Sequence, residues 1–236
     1  KDSRRSGKAV NVIELLAKGG PAMWPLLFLS FLALSTIIER AWYWSKILTR
    51  EREVSGRVLE AVRRDWDAAA EIARKSSDQP IGRFLYSALE LRNPDPEVLQ
   101  LALQASADEE LAAMRRGEKL LEAIVAIAPL LGLLGTVLGL ISSLSSIRLG
   151  DIGTDATAGV TLGISEALIS TATGLIVAIT ALAFYRLFSG LVAGQAKLFR
   201  QAGNDLELMY RREWMHRGDR LPLRESNAAS LPEHEV

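Results

Sequence analysis

The chain has 236 residues, and its 28 Lys or Arg balance its 28 Asp or Glu, so the formal net charge is zero. There is no basic excess to attract nucleic acid, and the absence of cysteine excludes disulfides and thiolate metal sites. The charges are segregated, deserting three long stretches and crowding the rest, as in a chain that crosses a membrane repeatedly.

Residues 1–20 begin with a basic stretch ending at Lys8, followed by AVNVIELLAK at 9–18. Val10, Val12, Ile13, Leu15 and Leu16 give the latter one apolar face, which predicts a short amphipathic helix lying on a membrane surface. Gly19, Gly20 and Pro21 then turn the chain. Lys1 in place of Met is the expectation for a processed or trimmed product, and no cleavable signal peptide is recognisable.

Residues 21–44 form the first predicted span, with no charge over 21–38. Trp24 and Trp42 are separated by ~27 Å of helix, the spacing of aromatic anchors at two interfaces. Residues 45–122 are predicted to be a cytoplasmic helical domain. The whole loop 39–122 carries 14 basic and 16 acidic residues, read as the solvated faces of a helical bundle. Breaks are expected at 76–80 and 92–96, with Asp95 as an N-cap and Pro96 at the first helical position. Leu99, Leu103, Ala107, Leu111 and Met114 form one stripe, and a single long helix is expected to continue from there into the membrane. Glu39 and Arg40 read as an ion pair fixing the end of the first span.

The second span, 123–147, holds twenty-five residues without a charge. Gly132, Gly135, Thr136, Gly139 and Ser143 run along it as small residues that let helix backbones approach closely. Pro129 predicts a kink or local weakness. A turn at 148–155 leads, through Thr154 or Asp155 as cap, into the third span at 156–186, so that the two spans form an antiparallel hairpin. An amphipathic extension is predicted for 187–217 and a disordered tail for 218–236.

The third span carries one charge between 156 and 185, Glu166. An ionised carboxylate is costly in hydrocarbon, which makes Glu166 the candidate ion-pathway group. Gly159, Gly163, Ser170, Thr173 and Thr180 share its helical face, giving a polar, small-residue seam that suits protein or water and not lipid. Two plainer readings compete: a carboxylate at headgroup depth, and a packing hydrogen bond to a neighbouring helix. One Glu and one seam are too few to line a pathway, so several copies around a cyclic axis are expected. His216 and His234 lie in polar sequence without a metal or nucleophile cluster, so neither an enzyme nor a cofactor is expected. Lys and Arg flanking the spans favour the side that holds the long loop and the C-terminus as cytoplasmic, against five basic residues in the N-terminal tail.

GGPAMWPLLFLSFLALSTIIERAW at 19–42, APLLGLLGTVLGLISSL at 128–144 and GISEALISTATGLIVAI at 163–179, in this order around a long loop, resemble the ExbB/TolQ/MotA family of bacterial inner-membrane ion-channel subunits, ExbB above all. The resemblance implies an all-α integral membrane protein with three transmembrane helices, two of them extended into a cytoplasmic helical bundle, and a cyclic homo-oligomer that is a pentamer. It implies two copies of a single-span ExbD-like partner with a membrane Asp that couples ion flow to work in the periplasm. A TonB-like periplasm-spanning protein and membrane lipid are further expected partners, and three spans with the Lys and Arg distribution predict a periplasmic N-terminus and a cytoplasmic C-terminus. It places Glu166 in the third-span motif, Thr136 in GLLGT, and Thr171 five residues after the glutamate. Thr136 and Thr171 are ranked for the lumen and Glu166 for the seam between subunits. Ser170 and Thr173 are extra hydroxyls, and with them Na⁺ stands beside the proton as the expected ion. A scaffold without ion flux is the alternative from another class. A flagellar-stator-like MotA subunit is weakened by the single span before the loop.

Overall fold

The computed structural model describes the backbone of residues 19–145 and 154–218, and the side chains of the last helix over 159–216. The expectations for the amphipathic helix at 9–18, the turn at 148–153 and the tail beyond 218 lie outside the described residues. All regular structure among the described residues is helical: α1 (Met23–Ile47), α2 (Glu51–Val62), α3 (Trp66–Lys75), α4 (Pro80–Leu89), α5 (Pro96–Met114), α6 (Glu118–Ser145) and α7 (Thr154–Gly218). The chain divides into two compact units, Lys1–Trp44 with Arg115–Leu191, and Ser45–Met114 with Val192–Val236.

The first unit is built inside out by the standards of a soluble protein. Its interior is rich in small residues, including Ala33, Ala128, Ala167 and Ala181 beside Leu26, Trp44 and Phe188, while Phe31, Leu130, Leu144, Leu168 and Ile179 are each more than 60% exposed. Large apolar side chains displayed in such numbers are intolerable in water and expected in lipid, where small residues mediate helix contact. Among the described residues three helices are long and apolar enough to cross a membrane. Trp24 and Trp42 are exposed at opposite ends of α1. Arg40 is buried, bonds exposed Glu39 at 2.6 Å and lies 4.8 Å from the Tyr43 ring centre.

The expected single helix from Pro96 into the membrane is instead two. Gly117 adopts φ +79°, and Glu118 N–H donates to Arg115 C=O at 3.1 Å, so the chain turns between α5 and α6. Glycine is required there twice over. The left-handed backbone disfavours a Cβ, and one placed at Gly117 would sit 2.8 Å from Thr36 Cγ2. Helix α6, by contrast, runs unbroken through Pro129. The proline costs one helical hydrogen bond, and Leu121, Ile124 and Ala128 on the same helix are buried.

The second unit is a conventional core. Phe84 stacks on Phe199 at 4.8 Å, and Val58, Ile81, Leu85, Leu99 and Leu206 are all buried in the same unit. Asp65 caps α3 by accepting from Asp67 N–H, and Pro80 opens α4. Of the α5 stripe, Leu99, Leu103 and Met114 are buried. Not every charge here is solvated. Arg83 clamps buried Glu110 through two hydrogen bonds of 2.5 Å.

Candidate functional site

Helices α6 and α7 pair antiparallel along a line of glycines and hydroxyls. At one end Ser143 Oγ donates to Val160 C=O at 3.2 Å. Next, a Cβ at Gly139 would lie 2.6 Å from Gly163 C=O and 3.0 Å from Ala167 N. One at Gly135 would strike Ser170 Cβ at 2.5 Å, and one at Gly132 would lie 3.1 Å from Thr171 Cα. At the far end a Cβ on Gly174 would lie 2.6 Å from Ala128 C=O. At all of these positions except Gly135 the colliding atoms include main chain, which cannot rotate away. Backbone approach of this kind is how membrane helices gain van der Waals contact where the hydrophobic effect offers little.

The hydroxyls are all engaged. Ser170, fully buried, donates to Ala167 C=O at 2.9 Å and lies 3.4 Å from Gly132 C=O. Thr171 Oγ1 donates to the same Gly132 carbonyl at 3.1 Å. Thr136 and Thr173, both half-buried, donate to their own helix at Leu133 C=O (2.6 Å) and Ile169 C=O (2.8 Å). Each side chain therefore spends its proton on a carbonyl and keeps oxygen lone pairs to present. Ser170 and Thr171 meet at one carbonyl of α6. Thr136 and Thr173 do not join them within the protomer.

Glu166 takes a different direction from Ser170. It is half-buried, and its carboxylate lies against Gly20 in the turn that opens α1. A Cβ on Gly20 would overlap Glu166 Oε1 and Cδ and lie 2.8 Å from Cγ. Gly20 has φ +69°, and its C=O accepts from Met23 N–H at 3.1 Å. The same turn brings Ala22 to the α6 side, 3.1 Å from a Cβ on Gly135. Among the described residues no cation lies within ion-pair distance of Glu166, and no group of three His, Cys, Asp or Glu could hold a metal.

Two participants were not read from the sequence. Gly174 is the last member of the glycine line, and its spacing of four after Ser170 was the available signal. Gly20 was read only as a breaker. A second buried acid also escaped: Glu51, at the start of α2, is 2% exposed. Burial pushes its carboxyl up to about 7, against the lowering influence of Ile81 N–H and the Gln195 side chain; nearby Glu110 raises it further and Arg83 opposes.

Residues 76–201, more than half the chain, match the MotA/TolQ/ExbB proton channel family. The chain is 48% identical over 204 residues to the Synechocystis biopolymer transport protein ExbB-like 1, covering 86% of this chain and 80% of that one. It is 41% identical to the ExbB-like 3 protein of the same organism, covering 82% of this chain and 92% of that one. It is 32% identical to the biopolymer transport protein ExbB of Salmonella typhimurium, covering 74% and 81% respectively. With three helices apolar enough to cross a membrane among the described residues and a glycine-lined pair of them, the chain belongs to the MotA/TolQ/ExbB proton channel family.

Proposed function

We propose that this chain is an ExbB-like subunit of an ion-driven motor in a bacterial inner membrane. Five copies form a ring around a single-span ExbD-like partner whose membrane Asp exchanges protons or Na⁺ with the ring. A TonB-like protein transmits the resulting work across the periplasm. The N-terminus is periplasmic, and the C-terminus and the second unit are cytoplasmic.

The observation that carries this reading is Glu166, the single charge between residues 156 and 185, half-buried and turned towards protein on a membrane helix. Lipid exposure would be costly for such a group, and its carboxylate instead lies against the Gly20 turn. Thr136 and Thr171 serve the lumen, where hydroxyl lone pairs solvate a passing cation. Glu166 serves the seam with the neighbouring subunit or the partner. Each elementary charge that crosses releases about 2.3 kcal/mol per 100 mV, so a few ions suffice for one mechanical step.

The test is ion flux through the ring reconstituted in liposomes with its single-span partner, using a pH-sensitive dye and a Na⁺-sensitive dye. Wild type should conduct, and Glu166→Gln should assemble but lose flux. Undiminished flux in Glu166→Gln would overturn the assignment. Flux absent even in wild type would favour the scaffold.

A further inference from the structure

We propose that Gly20 is a positioning residue for Glu166: the turn that opens α1 is a seat for the carboxylate of α7, shaped by the absence of a side chain. This rests on the reading of Glu166 as the ion-pathway group, and it adds the element that aims it.

Three observations converge. The direction in which an L-residue at position 20 would project its Cβ is already filled by the Glu166 carboxylate. The backbone of Gly20 is left-handed, so glycine is favoured by conformation as well as by space. The turn is itself anchored, because Met23 N–H closes on Gly20 C=O and Ala22 is buried on the side of Gly135. A shift in the start of α1 therefore moves the surface on which the carboxylate rests. Position 20 brings the motif that begins GGP against the motif that contains GISEA, and gives the first span a share in the ion site.

Two experiments on the full chain in its assembled complex decide this. In the first, hydrogen exchange is measured over residues 19–25 in wild type and Glu166→Ala. Removal of the carboxylate should speed exchange there and leave the glycine-lined stretch of α6 unchanged. Equal exchange over 19–25 would overturn the proposal, whatever flux measurements say about Glu166 itself.

In the second, Gly20→Ala should cut ion flux on the order of 100-fold, the cost of misplacing a reacting group by about an ångström. Gly20→Ala combined with Glu166→Asp, which withdraws the carboxylate by one methylene, should conduct better than Gly20→Ala alone. A merely structural role for Gly20 would give no such rescue. Wild-type flux in Gly20→Ala, or no rescue by the shorter acid, counts against the proposal. Should Gly20→Ala fail to assemble, the exchange measurement decides alone.

Discussion

The carboxyl group of Glu51 faces the side chain of Gln195 in the interior of the second unit, and neither Glu51 oxygen nor Gln195 Oε1 has a hydrogen-bond partner at ordinary geometry. Burial this complete disfavours the anion, and a proton on Glu51 would let it donate to an acceptor such as Gln195 Oε1. The folded protein therefore binds this proton up to about pH 7, whereas the unfolded chain releases it near 4.5. The associated stability is fully present below pH 4.5 and is lost as pH rises through about 7. Glu51→Gln should match wild type near pH 4 and exceed it at pH 8 by about 3 kcal/mol, the equivalent of the shift. Thermal unfolding of the detergent-solubilised protein at both pH values checks this. An Arg83-side response is expected too, since Arg83 and Glu110 are the charges that face the site.

The Arg83–Glu110 clamp gives a second prediction. Glu110 keeps only 11% of its side chain exposed, so Arg83→Ala would strand a buried carboxylate. The expected loss is about 3 kcal/mol from the second unit, and Arg83→Ala with Glu110→Leu should recover much of it. Limited proteolysis and thermal melting of the two variants read the difference.

Glycines of α6 and α7 should divide sharply by position. Gly139→Ala and Gly174→Ala each push a methyl into backbone at 2.6 Å and should cost about 1–3 kcal/mol in helix pairing. Gly190→Ala meets nothing within 4 Å and should instead stabilise α7 by up to about 1 kcal/mol. Thermal stability in detergent provides the comparison.

Ser170 and Thr171 share the Gly132 carbonyl but should behave differently. Ser170 is fully buried against α6, so Ser170→Ala should cost about 0.6 kcal/mol of packing and leave flux near wild type. Thr171, half-buried, retains an open side, and Thr171→Ala should lower flux in the reconstituted assay, as should Thr136→Ala. Equal flux losses in Ser170→Ala and Thr171→Ala would remove the distinction.

Much of this protein was written in local sequence. Runs of eighteen or more residues without charge have no stable place but a bilayer, so the three membrane helices follow from composition alone. The small-residue stripe from Gly132 to Gly139 was legible because helical period alone puts those residues on one face. So was the isolation of Glu166, since a carboxylate amid apolar residues needs no partner to be conspicuous.

What tertiary structure decided was which atoms those faces meet. Periodicity put Ser170 beside Glu166, yet Ser170 turns into α6 and Glu166 towards the opening of α1, because adjacent positions on a helix surface can serve two different neighbours. The same is true of Gly117, where the left-handed backbone and the nearness of Thr36 end one helix and begin another inside what periodicity reads as continuous. Glu51 was one acid among sixteen in a charged loop until the packing of α2, α4 and α7 removed it from water. Local sequence sets how each residue projects from its own helix; the burial and company of its side chain depend on contacts between segments far apart in the chain.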